Sequence, residues 1–373
     1  MSTAGHPTEP TPSDLQAAVR EATFVRLVAA ADADSVAAAA LLADGLGQQE
    51  IPYQTSVTPL AQPAERSTDA DLTIGIGRPV TGSDAQIGLD GPAARTAHAA
   101  ARDLGAGDLS LALAGTIAAE GHPGDELATV ANERGIERRP GVAVPTADLA
   151  DGLTHSTLVH APVSGDREAV ESMLDELDLP ADPGEEDRRR LASAVALAVA
   201  GDPDGTDRGS EAVERLLRPL SGGPFGTIGG YADVLSAVAR EQPGLAIVLA
   251  LGKLDGERAL DHWRTHGQRA HEAIRTATTS RYDGLFVLQC GDDAPVQTVA
   301  ELAADYRSPE PVVLVVDPQS AAVLTRAAEV DISGPLDTAT TAVGGTSGTA
   351  RQRGRAEFTG ESTEFVAAFT EAV

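Results

Sequence analysis

Lysine is almost missing from this 373-residue chain: of its 28 cationic residues only Lys253 is a lysine, against 56 Asp and Glu, for a formal charge of −28. Such an excess of carboxylates keeps a protein hydrated in concentrated salt, and we read it as an adaptation to solvent. It argues against a basic groove as the main source of affinity for nucleic acid, although molar salt weakens that term for any protein. Cysteine is confined to Cys290. That excludes a disulfide framework, zinc-ribbon spacing and paired redox thiols, and the apolar run around Cys290 predicts a buried structural thiol. Aromatic residues make up only 3%, so stacking platforms for bases or sugars are sparse. No apolar run approaches the roughly 18 to 20 residues that span a bilayer, and no membrane partner is expected. The chain begins polar and acidic, without a basic start or a cleavage pattern, which predicts a cytoplasmic protein.

The hydrophobic residues that are present, 42% of the chain, suffice for two domains of ordinary size. Residues 1–22 read as a polar, disordered lead-in. Thr23 to Ala29 then forms an apolar run expected to be a buried strand, and Ala and Leu recur at helical spacing from Asp34 to Leu46. Further strands are expected at Tyr53–Val57, Leu72–Ile76 and Gln86–Leu89, with Ala-rich helices around Ala93–Asp103 and Leu109–Glu120. This alternation predicts an α/β protein with a parallel sheet. The stretch GGPFGTIGG, from Gly222 to Gly230, implies special backbone angles or close approach of another surface. A second α/β block is expected as strand Leu285–Gln289, helix Val296–Tyr306, strand Val312–Val316, helix Ser320–Glu329 and a strand near Ala356–Thr359.

Several groupings could carry chemistry. Asp32 and Asp34 lie two apart beyond the carboxyl end of the first strand, where open α/β sheets place ligands and where Mg²⁺ or Mn²⁺ would find oxygen donors. The competing reading is that Asp34 or Ser35 simply caps the helix. Arg351, Arg353 and Arg355 alternate beside a glycine turn, suited either to phosphate oxygens or to guarding a solvated strand edge. Arg188, Arg189 and Arg190 follow Glu185, Glu186 and Asp187, which predicts pairing within a helix. His262, His266 and His271 share a helix with Arg258, Arg264 and Arg269 and read as its polar solvent face, not as a zinc site. GIGRPVTG, from Gly75 to Gly82, lacks the spacing of a dinucleotide fingerprint.

Around the first acidic turn the chain resembles the DHH phosphoesterase family, its RecJ-like archaeal branch in particular. Those proteins carry His-x-Asp-x-Asp-Gly after the first strand, an Asp after a later one, Asp-His-His after the next, and a fourth Asp near the end of a helix. Here Asp32 and Asp34 match the first motif without its histidine and glycine. Gly77 or Gly75 stands at the second, and Leu89-Asp90-Gly91-Pro92 keeps Asp90 but neither histidine. Ala118 or Ala119 stands at the fourth, beside Glu120. GGYADVLSAVARE from Gly229, followed by GLAIVLALG, resembles the family's linker. Val343-Gly344-Gly345-Thr346 resembles the Gly-Gly-His motif of the DHHA1 domain, with Thr346 at the histidine.

The resemblance implies a parallel-sheet DHH-like domain over 23–215, a helical connector over 216–277 and a smaller α/β DHHA1-like domain over 278–373. It implies Mn²⁺ or Mg²⁺ at Asp32, Asp34 and Asp90, and single-stranded nucleic acid against Gly344, Gly345, Arg351, Arg353 and Arg355. Two-metal hydrolysis, however, needs ligands enough to hold both ions about 3.5–4 Å apart, and alanine and glycine offer none. The expected protein is therefore a RecJ-like member of DNA replication or repair that has lost catalysis and acts as a scaffold or partner of GINS and the replicative helicase. The alternative is a metal-dependent, single-strand-specific exonuclease or phosphoesterase using the residual aspartates.

Overall fold

A computed structural model describes residues 9–62, 68–180 and 183–373. The chain runs α1 (Pro12–Glu21), β1 (Val25–Ala30), α2 (Ala33–Gln48), β2 (Tyr53–Thr58), β3 (Leu72–Ile76), β4 (Ala85–Ile87), α3 (Ala93–Arg102) and α4 (Leu109–Glu120). The four strands form a parallel sheet in the order β2-β1-β3-β4. Every residue of β1, VRLVAA, is buried, as expected of an interior parallel strand covered on both faces. Helix α2 is buried almost all round because its neighbours carry small residues. A Cβ added at Gly115 of α4 would lie 2.7 Å from the Cβ atoms of Ala37 and Ala94, so α2, α3 and α4 pack at a separation that only glycine and alanine allow. Part of the expected lead-in is ordered: Thr11 and Asp14 form a capping box for α1, which buries Leu15 and Val19.

Shorter helices follow, α5 (Asp125–Glu133), α6 (Leu149–His155), α7 (Arg167–Leu177), α8 (Glu185–Ala200) and α9 (Asp207–Ala212), and then α10 (Ile228–Glu241), α11 (Pro243–Ala250) and α12 (Gly256–Thr276). On α8 the expected pairing is present, with Arg189 3.0 Å from Glu185 and Arg190 3.4 Å from Asp187. The glycine-rich stretch meets both of its expected demands. Gly222, Gly223 and Gly226 have positive φ, while Cβ atoms at Gly229 and Gly230 would come within 2.7 Å of Ala143 and 2.8 Å of Pro145.

The rest of the chain builds a mixed sheet, with β5 (Thr278–Tyr282), β6 (Leu285–Gln289), α13 (Val296–Tyr306), β7 (Val312–Val316), β8 (Ser320–Thr325), α14 (Ser333–Val343), β9 (Gly345–Ala350), β10 (Arg353–Phe358) and α15 (Ser362–Ala372). Its order is β5-β6-β7-β8-β10-β9. Residues of α13 pack with Leu288, Val313 and Leu324 on one face, and Leu336, Phe365 and Phe369 of α14 and α15 with Leu285 and Leu314 on the other. The helix expected at Ser320–Glu329 is thus corrected to strand β8. Its alanines favour a helix, but the Asp317 carboxylate accepts Gln319 N–H at 2.8 Å and Ser320 N–H at 2.6 Å, and that turn sends the chain back beside β7.

The histidines of α12 also require a correction. His266 and His271 face inward: the first contacts Glu241 through Nδ1 at 2.7 Å and Thr298 through Nε2 at 2.8 Å, and the second stacks on His160 with 3.0 Å between Nδ1 atoms. Burial takes the His271 pKa down to about 4. Cys290 is half-buried, and burial pushes its thiol up to about 12, so it is inert at neutral pH. No helix among the described residues is long and apolar enough to cross a membrane.

Candidate functional site

The carboxyl ends of β1, β3 and β4 meet the β9–β10 hairpin across a narrow cleft. The first sheet contributes Asp32, Asp34, Gly77 and Gly88, α4 contributes Ala118 and Ala119, and Arg351 and Arg353 come from the hairpin. Three of the four motif positions recognised in the sequence therefore converge on the cleft. Asp90 does not line it; its residue is exposed on the loop before α3. The enclosed space is about 60 Å³, enough for a few waters at roughly 10–15 Å³ each.

Each aspartate of the first turn is engaged by the fold itself. Asp32 is the N-cap of α2, accepting from Ser35 N–H and Ser35 Oγ, both at 2.9 Å. The cap is thus Asp32, where the spacing had suggested Asp34 or Ser35. Asp34 is buried, and its carboxylate accepts Ala93 N–H at 2.8 Å and Ala94 N–H at 2.9 Å at the start of α3. Pro92, the N-cap of α3, has no side-chain oxygen to offer, so Asp34 supplies the cap from a neighbouring helix. Burial and the nearby Asp32 raise the Asp34 pKa to about 7, against the pull of the Ala94 N–H and Arg351. At the loop before α3, Leu89 N–H and Asp90 N–H both donate to the Glu9 carboxylate, a contact the sequence reading missed.

A raised carboxyl pKa has a definite sign in stability. The folded state holds its Asp34 proton up to about pH 7 while the unfolded chain releases it near 3.8, so stability from this group is full below about pH 4 and falls as pH rises toward 7. Urea melts across this range are expected to show a slope that flattens in Asp34→Asn.

The positive charge in the cleft comes from arginines. Arg351 Nη2 lies 3.7 Å from Asp34 Oδ2. Arg353 Nη1 lies 3.2 Å from Glu301 Oε1 on α13, and Glu301, Asp32 and Asp34 raise the Arg353 pKa. Arg240 of α10 clamps Glu301 with contacts of 2.7 and 2.8 Å and donates to Thr298 at 2.6 Å. Burial works to raise the Glu301 pKa, but Arg240 and Arg353 bring it down to about 2. Arg355 bonds Gln297 at 3.2 Å and Glu357 at 3.4 Å. Arg351 and Gln352 form the two-residue turn between β9 and β10, and Arg351 has φ 56°. Hairpins favour glycine at such a position; an arginine held there points to a role for its side chain.

Gly344 has positive φ and ends α14, while a Cβ at Gly345 would lie 2.2 Å from the Glu357 carbonyl. The fold explains both glycines, and neither lines the cleft. The hairpin is seated by close approach: a Cβ at Gly348 would fall 2.1 Å from the Leu60 carbonyl oxygen. That loop is held by buried Arg78, which donates to Thr58 Oγ1 at 2.6 Å and to the carbonyls of Pro59 and Gln62 at 2.8 Å. Arg78 comes from the discarded glycine-rich motif, and nothing local signalled its role.

The residues present do not fit a two-metal centre. Asp34 is spent on the α3 amides, Asp32 on the α2 cap, and the cleft already holds guanidinium groups. Among the described residues no group of three His, Cys, Asp or Glu converges as metal ligands do. Nor does a single substitution restore the second motif: Gly77 has φ +66°, and its Cβ would lie 1.9 Å from Ser35 Oγ. Gly77→Asp is expected to destabilise the chain by about 2 kcal/mol or more in a urea melt and to leave Mn²⁺ affinity unchanged.

A family model described as the C-terminal domain of the uncharacterized protein rrnAC1427 matches residues 277–371. Uncharacterized protein rrnAC1427 of Haloarcula marismortui is 49% identical over 380 residues, covering 100% of both chains. Among solved structures, exonuclease RecJ bound to manganese is similar with a TM-score of 0.52 at 15% identity, covering 99% of this chain and 94% of that one. CDC45 from Entamoeba histolytica is similar with a TM-score of 0.56 at 8% identity, covering 96% and 97%. The fold is RecJ-like: a parallel-sheet α/β domain followed by a smaller α/β domain.

Proposed function

The chain belongs to the rrnAC1427 family, and from that premise and its RecJ-like fold we propose that it is a catalytically silent relative of DHH phosphoesterases that serves DNA replication or repair by binding protein partners. One observation carries this reading: Arg351 and Arg353 occupy the cleft where divalent cations would be needed, while Asp34 is committed to the start of α3. Guanidinium groups balance the carboxylates but generate no metal-bound nucleophile. The β9–β10 hairpin then works as a fixed clamp between the two sheets, and the outer surface is left for partners. By resemblance, those partners are the GINS complex and the replicative helicase.

Two assays in molar KCl test this. Single-stranded DNA incubated with Mn²⁺ or Mg²⁺ is expected to release no more nucleotide with the wild-type chain than with Asp34→Ala. Metal-dependent release abolished by Asp32→Ala would establish the exonuclease reading instead. Capture on the tagged chain at high salt is expected to recover replication factors; recovery of none would remove the partner role.

A further inference from the structure

Five residues between α6 and α7, Ser156 to His160, tie the first half of the chain to three later helices. The Asp233 carboxylate of α10 accepts from Ser156 Oγ at 3.0 Å and from Thr157 N–H at 3.1 Å. The Leu158 carbonyl accepts Arg215 Nε and the Tyr306 hydroxyl of α13, both at 2.8 Å. His160 then meets His271 of α12 and Arg307, the residue that follows α13.

The His160 and His271 residues are 1% and 0% exposed, and their partners leave one arrangement of protons. Arg307 can only donate, so His160 Nε2, 3.2 Å from Arg307 Nη2, is bare. A neutral ring then carries its proton on Nδ1, which donates across 3.0 Å to His271 Nδ1. That leaves His271 with its proton on Nε2, donated to the Ser156 carbonyl at 3.0 Å. A further proton has no acceptor to meet. On His160 Nε2 it would point at a guanidinium, and on His271 Nδ1 at the N–H of the other imidazole.

Nor would its charge be balanced. Arg307 and Arg275 face the pair, and His155 and His266 face His271. Asp202 and Asp204 reach the rings only through Arg307, at 3.3 and 3.5 Å. Gly165, where a Cβ would lie 2.6 Å from His271 Cβ, is followed by Asp166, whose carboxylate is turned to Ala169 N–H as the cap of α7. Glu272 is exposed on α12. Among the described residues no carboxylate bonds either ring.

We propose that the His160–His271 pair is a proton-operated latch: one proton taken up severs the chain of hydrogen bonds from Arg307 to Ser156 and frees the end of α13, loosening the hold of the first half of the chain on the second sheet while both sheets stay folded. Burial, with the neighbouring cations, keeps His160 well below the ordinary histidine value and takes His271 from 6.5 down to about 4. The open form therefore accepts a proton that the latched form refuses. The contribution of the latch is full above about pH 6.5 and is lost as pH falls toward 4, with opening favoured about tenfold per pH unit for each proton.

The test is hydrogen exchange of the full chain in molar KCl between pH 7 and 4, read by mass spectrometry and corrected for the intrinsic pH dependence of exchange, with the histidine ring nitrogens followed by NMR. At pH 7 both rings are expected to be neutral, with the proton on Nδ1 in His160 and on Nε2 in His271. Between pH 6.5 and 4.5, amides at the end of α13 are expected to exchange about tenfold faster per pH unit, while those of α2 hold. Arg307→Gln, which keeps a donor but removes the facing charge, is expected to move this acceleration to higher pH. The double variant His160→Asn/His271→Gln is expected to abolish it. A charged ring at pH 7, the opposite tautomers, α13 exchange flat across the range, or opening of α2 in step with α13 would each overturn the latch; so would an unchanged midpoint in Arg307→Gln or a wild-type profile in the double variant. The wild-type chain alone supplies the first four readings, whether or not a variant folds.

Discussion

Asp34→Ala is expected to lower the unfolding free energy by about 2–4 kcal/mol near pH 4, and by less as pH rises toward the Asp34 pKa of about 7, whereas Asp90→Ala should cost less than about 0.5 kcal/mol. The contrast follows from what each carboxylate touches. Asp34 accepts two backbone amides at the start of α3 and faces Arg351; its removal leaves buried donors unpaired in a well-packed junction of α2, α3 and α4. The Asp90 residue is exposed, and its contact with Glu9 is made through the backbone amide, which alanine keeps. A ligand set would behave differently, since all three aspartates would then matter together for metal affinity and little for the metal-free fold. Urea is the right denaturant here, because guanidinium chloride is a salt and would change the screening on which so acidic a chain depends. Equal and small effects of the two substitutions would remove the structural role assigned to Asp34.

Arg240→Ala is expected to cost about 3–5 kcal/mol, the largest effect of any single arginine in the cleft. It would leave Glu301, side chain 21% exposed, with Arg353 alone, and break the bond to Thr298, whose hydroxyl also contacts His266 Nε2. Arg240→Lys should recover only part of the loss, because an ammonium cannot reproduce the two contacts to Glu301. The Glu301 pKa lies near 2, below the ordinary carboxyl value. Its contribution is therefore present above about pH 4.5 and lost as pH falls toward 2, opposite in direction to that of Asp34. A urea-melt series at descending pH is expected to show this acid loss in wild type and a shallower one in Arg240→Ala. An unchanged acid profile would detach Glu301 from the clamp.

The first strand, its acidic turn and the helix after it were legible because a buried parallel strand leaves a continuous apolar run and α2 repeats alanine and leucine at helical spacing. Small residues told more than charged ones. The glycines from Gly222 to Gly230 announced both odd backbone angles and close approach, and both occur. What failed was local propensity against tertiary demand, as where alanine-rich β8 lies between β7 and β10. Charge partners were illegible for a different reason. Arg240 and Glu301 are 61 positions apart, Asp34 and Ala94 are 60 apart, and Arg78 serves a loop with no motif. The Arg351–Arg355 run was noticed as basic, yet no pattern in the sequence says that its side chains turn toward the protein's own carboxylates.

The most direct test of the central claim, that arginines stand in the cleft in place of metal ions, is a Mn²⁺ titration of the purified chain in molar KCl followed by the electron paramagnetic resonance signal of the free ion. Free Mn²⁺ is expected to rise in proportion to the amount added, with wild type and Asp34→Ala indistinguishable. Saturable uptake of Mn²⁺ by wild type that disappears in Asp34→Ala would contradict the account.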